Sequence, residues 1–188
     1  MVAAMSGTER DLMRAAQDGD LDAFGALVAP HASVLFRLAC QVTADPTEAD
    51  DAVQDGLIRA HGALGRFRVE EPLRPWLLRI VYNEARSRVR ARGRRTRLLE
   101  RLHVRPERHA PDPMLEVLAS ETRDEVARVL ADLRADDREV IVLRYFLGLD
   151  EAEMAATLGC ARGTVKSRLS RALGRMREAL GPEATWFR

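Results

Sequence analysis

The chain has 188 residues, 46% hydrophobic and 31% charged, with aromatics at 5%. That is the balance of a soluble globular protein, not of a disordered or membrane-embedded one. No apolar run approaches the roughly 20 residues needed to cross a bilayer, and the opening MVAAMSGTERD lacks a basic flank followed by an apolar stretch; a cytoplasmic protein without membrane insertion is expected. The net charge of +1 conceals a segregation, because residues 86–108 hold ten arginines against Glu100 and Glu107, whereas residues 45–55 hold five acids and no base. Stretches so different in sign should meet different partners.

Punctuation by Gly, Pro and Asx residues divides the chain into helical segments, and no period-two strand appears. The expected fold class is all-α: two small helical domains joined by a flexible linker. Thr8 is placed to cap a first helix to Gln17, and Asp20 a second, in which Leu21, Phe24, Leu27 and Val28 share a buried face. Residues 31–43 continue as another helix, which ADPTEAD ends. Pro46 or Thr47 opens the next, running to about Leu64. In it Ala49, Ala52, Val53, Leu57, Ala60 and Leu64 fall in one inward sector. The outward sector collects Asp51, Gln54, Asp55, Ile58 and His61, with Asp50 at its edge. One exposed apolar residue is ordinary, but an isoleucine ringed by carboxylates and an amide suits a protein interface.

RFRVEEPLRPW reads as a loop, with Pro75 suited to the first turn of a long helix. Trp76, Leu77, Leu78, Ile80 and Val81 leave little polar surface there, so Trp76 belongs to the core in preference to a stacking platform. Beyond them Arg79, Asn83, Arg86 and Arg90 recur at spacings of four, three and four, one polar stripe along the helix. Cations so dense with so few local acids repel one another without a polyanion, which points to nucleic acid. Asn83 can offer both donor and acceptor to a base edge.

Residues 102–118, with Pro106, Pro111 and Pro113 among mixed charges, have the composition of a linker, setting expected domains at 8–101 and 119–181. In the second, helices are expected at 121–133, 136–147, 150–158 and 163–180, broken at Gly148 and Gly159. Asp150 and Glu153 form a capping-box-like start, Met154, Ala155 and Leu158 an inner face, Gly159 a left-handed reversal and Cys160 a small apolar plug. In the last helix Val165, Leu169, Ala172, Leu173, Met176 and Leu180 share the core sector. Opposite lie Ser167, Ser170, Arg171 and Gly174, flanked by Lys166 and Arg177 on one side and Arg168 and Arg175 on the other. Small hydroxyl residues permit close approach to a groove, and long cations reach phosphates. A basic helix exterior alone is ordinary. The Ala-Gly turn at helix-turn-helix spacing favours DNA.

LADLRADDREVIVLRYFLGLDEAEMAATLGCARGTVKSRLSRALGRMREAL resembles the fourth conserved region of bacterial sigma factors of the extracytoplasmic-function group, with GTVKSRLSRA its most specific segment. DAVQDG resembles their second conserved region. The resemblance covers about residues 20–180, the linker in character only. It implies that the helix starting near Gly163 recognises the −35 promoter element through Arg162, Lys166, Ser167, Ser170 and Arg171, with Arg168 and Arg175 on phosphates. It implies that Asp51, Gln54, Asp55 and Ile58, with Asp50, bind the clamp of the largest subunit of core RNA polymerase. It further implies −10 recognition, with a loop from Arg68 to Arg74 receiving an unstacked base, Asn83 taking part, and Arg79, Arg86 and Arg90 along the same helix. VEEPLR departs from the aromatic-containing version of that loop: Leu73 stands where an aromatic is common, and Glu70 and Glu71 face a polyanion. A sigma factor of this kind is a monomer when free, needs no cofactor or metal, performs no bond chemistry, and is commonly sequestered by an anti-sigma factor.

Two other classes compete. A stand-alone regulator with a dimerising first half explains the basic turn-helix unit, but not the acid-and-isoleucine face or the Asn83 stripe. A metal-dependent enzyme finds little support: His31, His61, His103 and His109 show no ligand spacing with Cys40 and Cys160, and no Gly-rich phosphate loop or nucleophile motif is present. The two cysteines read as buried free thiols.

Overall fold

Three short-range devices set the helix boundaries of the first half. Asp20 precedes α2 (Leu21–Val28), and its carboxylate accepts from the N–H groups of Asp22 and Ala23 at 2.9 and 3.0 Å. Asp45 does the same for α4 (Pro46–Ala63), accepting from Thr47 and Glu48 at 2.9 and 3.1 Å. Both satisfy donors that a helix start leaves without partners. Between them α3 (Ala32–Thr43) ends on Ala44, whose φ of 53° is left-handed, and the buried Thr43 hydroxyl donates to the Ala39 carbonyl at 2.9 Å. A first helix, α1, spans Gly7–Gln17. It starts one residue before Thr8, so Thr8 has helical backbone and lacks the extended conformation of a cap.

The computed structural model describes residues 7–101, 126, 128–130 and 132–180; the expected linker at 102–118 lies outside them. The chain divides into two compact units, Met1–Ala110 and Pro111–Arg188. In the first, α3, α4 and α5 (Leu73–Arg101) pack on one another and α1 packs on α2. Met13, Leu35, Leu38, Leu64, Leu77, Leu78 and Val81 are fully buried. The face of α4 toward this core is small: Ala49, Ala52 and Ala60 are each 0% exposed. At Gly56 an added Cβ would stand 2.9 Å from Val81 Cγ2 and 3.3 Å from Val81 Cα. A glycine there lets α4 and α5 approach closely. Leu21 departs from the expected pattern at 66% exposed, since Ala23, Leu27 and Val28 set the buried arc of α2 and Leu21 stands at its edge.

One finding runs against the expectation of no membrane-length segment. Leu21–Thr43 is 23 residues long, with a window of mean hydropathy 1.5, enough by length and composition to cross a bilayer. It comprises α2, a 3-10 turn at Ala29–His31 and α3, and its apolar side chains Val34, Leu35, Leu38 and Ala39 are buried in the helical core. The hydropathy belongs to packing within the unit.

In the second unit the expected helix 136–147 changes pitch. An α-helix, α6 (Ala135–Ile141), runs into a π-turn over Val142–Phe146. The Leu147 N–H donates to the Val142 carbonyl at 3.1 Å and Arg144 Nη1 to the Leu149 carbonyl at 3.0 Å. The wider turn brings Leu143, Leu147 and Leu149 all into the core, a spacing one regular helix does not provide. Then come α7 (Glu151–Leu158) and α8 (Arg162–Leu180), with α8 packed on both α6 and α7. Val165, Ala172 and Met176 are buried, and Leu169, Leu173 and Leu180 half-buried. Cys40 is buried and Cys160 half-buried, and neither is in a disulfide. Among the described residues no strand occurs.

Candidate functional site

On α4 the residues expected to meet a protein partner share one side. Gln54 Nε2 donates to Asp50 Oδ2 at 2.8 Å, one turn apart. Asp51 and Asp55, also one turn apart, both accept from Arg88 of α5. Ile58 follows on the next turn and is 70% exposed. His61, expected in the same sector, instead meets Phe24 edge-on with ring centroids 5.2 Å apart. The face therefore presents carboxylates and an amide beside an apolar anchor. Lower on the same helix pair, Arg59 pairs with Glu84 at 2.8 Å, which turns the one acid of this part of α5 toward α4.

Along α5, Arg79, Asn83, Arg86 and Arg90 are all exposed, and Ser87 and Arg94 extend the stripe. Arg86 Nη1 donates to the Tyr82 hydroxyl at 2.7 Å, with the guanidinium carbon 5.5 Å from that ring's centroid. Tyr82 is buried, so the contact anchors a surface cation to the core. Two arginines of the run are internal. Arg88 turns to α4, and Arg92 Nη2 donates to the Thr43 carbonyl at 2.8 Å, where a cation complements the carboxyl end of α3.

Before α5 the chain is pinned by Gln17, whose Nε2 donates to the Leu64 and Phe67 carbonyls at 3.0 Å each, and by Phe67 against Trp76 at 4.8 Å. A turn follows, in which the Glu71 N–H donates to the Arg68 carbonyl at 2.9 Å. Arg68, Glu70 and Glu71 are exposed. The loop is shorter than the expected Arg68–Arg74: Leu73 opens α5 and is 7% exposed, because its apolar side chain joins the core. Leu73 is therefore not offered to a base, and Arg74 lies half-buried in the first helical turn.

Arg74 also acts on His31. Burial, then the positive field of Arg74, hold the His31 imidazole below its ordinary value, against an opposing pull from Glu9. A group lowered on folding binds protons more readily unfolded. Its contribution to stability is therefore intact above the ordinary histidine value of about 6.5 and is lost as pH falls through the lower folded value. Thermal melts at about pH 7.5 and about pH 5 should show a loss of stability that is smaller in His31→Gln; equal losses would rule this histidine out.

In the second unit, Asp150 Oδ1 accepts from the N–H groups of Ala152 and Glu153 at 2.8 Å each, and the Asp150 N–H donates to Glu153 Oε2 at 3.0 Å, a complete capping box. The bond from Glu153, above all, holds the Asp150 carboxyl below the usual carboxylate range. Gly159, at φ 66°, ends α7. The Ala161 carbonyl accepts from Thr164 and Val165 as α8 begins, one residue earlier than expected, which puts Arg162 in its first turn. Arg162, Lys166, Ser167, Ser170 and Arg171 are exposed and Arg168 is half-buried. Ser167 Oγ donates to the Thr164 carbonyl at 3.0 Å and Arg171 Nε to the Ser167 carbonyl at 3.2 Å, which lays both side chains along the helix surface. Arg175 differs: its Nη1 engages Oδ2 of the buried Asp137 on α6. This arginine braces α8 against α6.

Residues 27–95 match the Sigma-70 region 2 family and residues 123–176 the Sigma-70, region 4 family. The RNA polymerase sigma-H factor of Pseudomonas aeruginosa is 32% identical over 184 residues, covering 93% of this chain and 94% of its own length. The ECF RNA polymerase sigma factor SigM of Mycobacterium tuberculosis is 35% identical over 175 residues, 93% of this chain and 85% of its own. The chain belongs to the extracytoplasmic-function (ECF) sigma factors. Among solved structures, the sigma factor RpoE in complex with the anti-sigma factor NepR from Bartonella quintana matches this sigma factor with a TM-score of 0.65 at 30% identity, covering 85% of this chain and 98% of that one. As a member of its family, the protein is a promoter-specific transcription initiation factor associated with RNA polymerase.

Sequence reasoning passed over the roles of Arg88 and Arg92 in this sigma factor and placed Arg175 on a phosphate, whereas it engages Asp137. Arg88 had a signal: Asp51 and Asp55, one turn apart, repel each other and call for a cation. Arg92 and Arg175 carried none, since nothing local marks which arginine folds back on a carbonyl or carboxylate of another helix.

Proposed function

We propose that this sigma factor binds the clamp of the largest subunit of core RNA polymerase through Asp50, Asp51, Gln54, Asp55 and Ile58 of α4. Docked there, it sets α5 against the −10 element and α8 against the −35 element and helps hold the opened strand. The observation that carries this reading is the α4 face, where Ile58, 70% exposed, lies beside two acids and an amide. A stand-alone regulator has no use for such a face. Two separate units each bear a basic helix face, α5 with Arg79, Asn83, Arg86 and Arg90, and α8 with Arg162, Lys166, Ser167, Ser170 and Arg171. Each face alone is a weak site; docking on polymerase makes them one bivalent contact.

At the −10 element, the exposed Arg68 and the backbone of the turn before α5 are the parts that meet the displaced base, with Asn83 farther along α5. The free protein is a cytoplasmic monomer. Its relatives supply one further partner: RpoE is solved with an anti-sigma factor, and the same kind of inhibitor acts here by covering the faces that serve polymerase and DNA.

Reconstitution with core polymerase and promoter DNA tests the reading. Asp51→Ala combined with Gln54→Ala is expected to weaken core binding about tenfold or more, with helicity unchanged and promoter-dependent transcription reduced in proportion. Tight operator binding by the chain alone, without stimulation of initiation by polymerase, would instead select the stand-alone regulator.

A further inference from the structure

Two carboxylates one helical turn apart repel each other, and Asp51 and Asp55 are such a pair at the centre of the α4 face. Arg88 relieves the repulsion from the neighbouring helix. Its Nη1 donates to Asp51 Oδ2 at 3.3 Å, and its Nη2 to Asp55 Oδ2 and, at 3.4 Å, to the Asp51 carbonyl. The Arg88 side chain is 24% exposed, the two carboxylates 54% and 48%. The cation thus lies beneath the acids, which stand between it and solvent. Its Nε is buried without a hydrogen-bond partner, so the two acids and one carbonyl are what hold the guanidinium.

We propose that Arg88 is a positioning residue of the polymerase interface, holding Asp51 and Asp55 in one paired arrangement and so setting the affinity for core polymerase without touching it. The inference rests on the reading of α4 as the polymerase face. Each carboxylate meets Arg88 through Oδ2, which leaves its other oxygen able to accept from a partner. A guanidinium fork can bridge both acids at once, where the ammonium of a lysine is a point charge. Side chains ordered before association do not have to be ordered during it, and that saving appears as affinity. By sequence Arg88 belongs to the run read as nucleic-acid binding, yet its neighbours Arg86 and Arg90 face outward while it does not. Its loss should therefore leave DNA contacts alone.

The test uses the full chain and core polymerase. Arg88→Met keeps the stem and removes the charge, and its core affinity is expected to fall about five- to tenfold. Promoter affinity at saturating core, and its salt dependence, should stay at the wild-type level. Arg88→Lys should fall between. In an Asp51→Ala, Asp55→Ala background, Arg88→Met should change core affinity by less than about twofold, because it has no carboxylates left to act through. A loss that persists undiminished in that background marks a merely structural role and overturns the proposal. Wild-type core affinity in Arg88→Met, while the double-alanine chain binds weakly, overturns it equally. If the double-alanine chain itself binds core normally, the assignment of α4 fails, a result distinct from the other two. Should Arg88→Met fail to fold, Arg88→Lys measured in both backgrounds makes the same comparison.

Discussion

Replacing Lys166 and Arg171 together by alanine is expected to lower initiation from promoters with an intact −35 element by about a hundredfold, with core binding unchanged. Both side chains are exposed on α8. Arg171 is tethered to the Ser167 carbonyl at 3.2 Å, so its charge is carried close beside the small Ser167 and Ser170, where a groove can approach. A well-placed base contact contributes about 1–3 kcal/mol and a phosphate contact reduces the salt slope by about one. Two such losses give the hundredfold, since about 2.7 kcal/mol is two decades. Neither residue is buried, and a helix gains slightly from alanine, so the second unit should melt as before. On a promoter lacking the −35 element the variant and the wild type should behave alike. An equal drop on both promoters would mean that α8 contributes general attraction and reads no element.

Where the sequence could be read correctly, the cause was local. Asp20 and Asp150 each lie within three residues of the donors they accept from, and Gly159 needs only its own φ of 66°. Helical periodicity likewise exposed the inner alanines of α4 and the outer face from Asp51 to Ile58, though it also placed there His61, which packs on Phe24. What escaped is decided between elements. Leu21 and Leu73 have the same hydropathy, yet one is 66% exposed and the other 7%, because neighbouring helices cover only one. The π-turn at Val142–Phe146 arises from the joint burial of Leu143, Leu147 and Leu149, which no single helical period describes. In the arginine run, Arg86, Arg88, Arg90 and Arg92 are alike as letters. A partner on another helix separates the internal Arg88 and Arg92 from the outward-facing Arg86 and Arg90. The α4 and α8 faces were thus legible as surfaces, while the internal arginine contacts behind them were not.

Arg175 gives the sharpest consequence of that distinction. The sequence pattern and the family resemblance place it on a phosphate beside Arg168, whereas its guanidinium engages Asp137, whose side chain is 9% exposed against 42% for Arg175. Asp137 stands in the first turn of α6, where the helix dipole favours its charge, but a carboxylate so buried still depends on its partner. Removing one member of a fully buried pair costs about 3–5 kcal/mol. Water can reach the half-open arginine, so the expected loss for Arg175→Ala is about 1–3 kcal/mol. For a small domain this lowers the melting point by roughly 5–15 °C and deprotects the amides of residues 135–141 in hydrogen exchange. Asp137→Asn combined with Arg175→Met should recover part of the loss, because neither charge is then stranded. Arg168→Ala should behave oppositely, with near wild-type melting and a salt slope of promoter binding reduced by about one. If Arg175→Ala instead melts as wild type and lowers the salt slope, the arginine leaves Asp137 for DNA, and the contact between α6 and α8 is a resting place for a phosphate-binding cation.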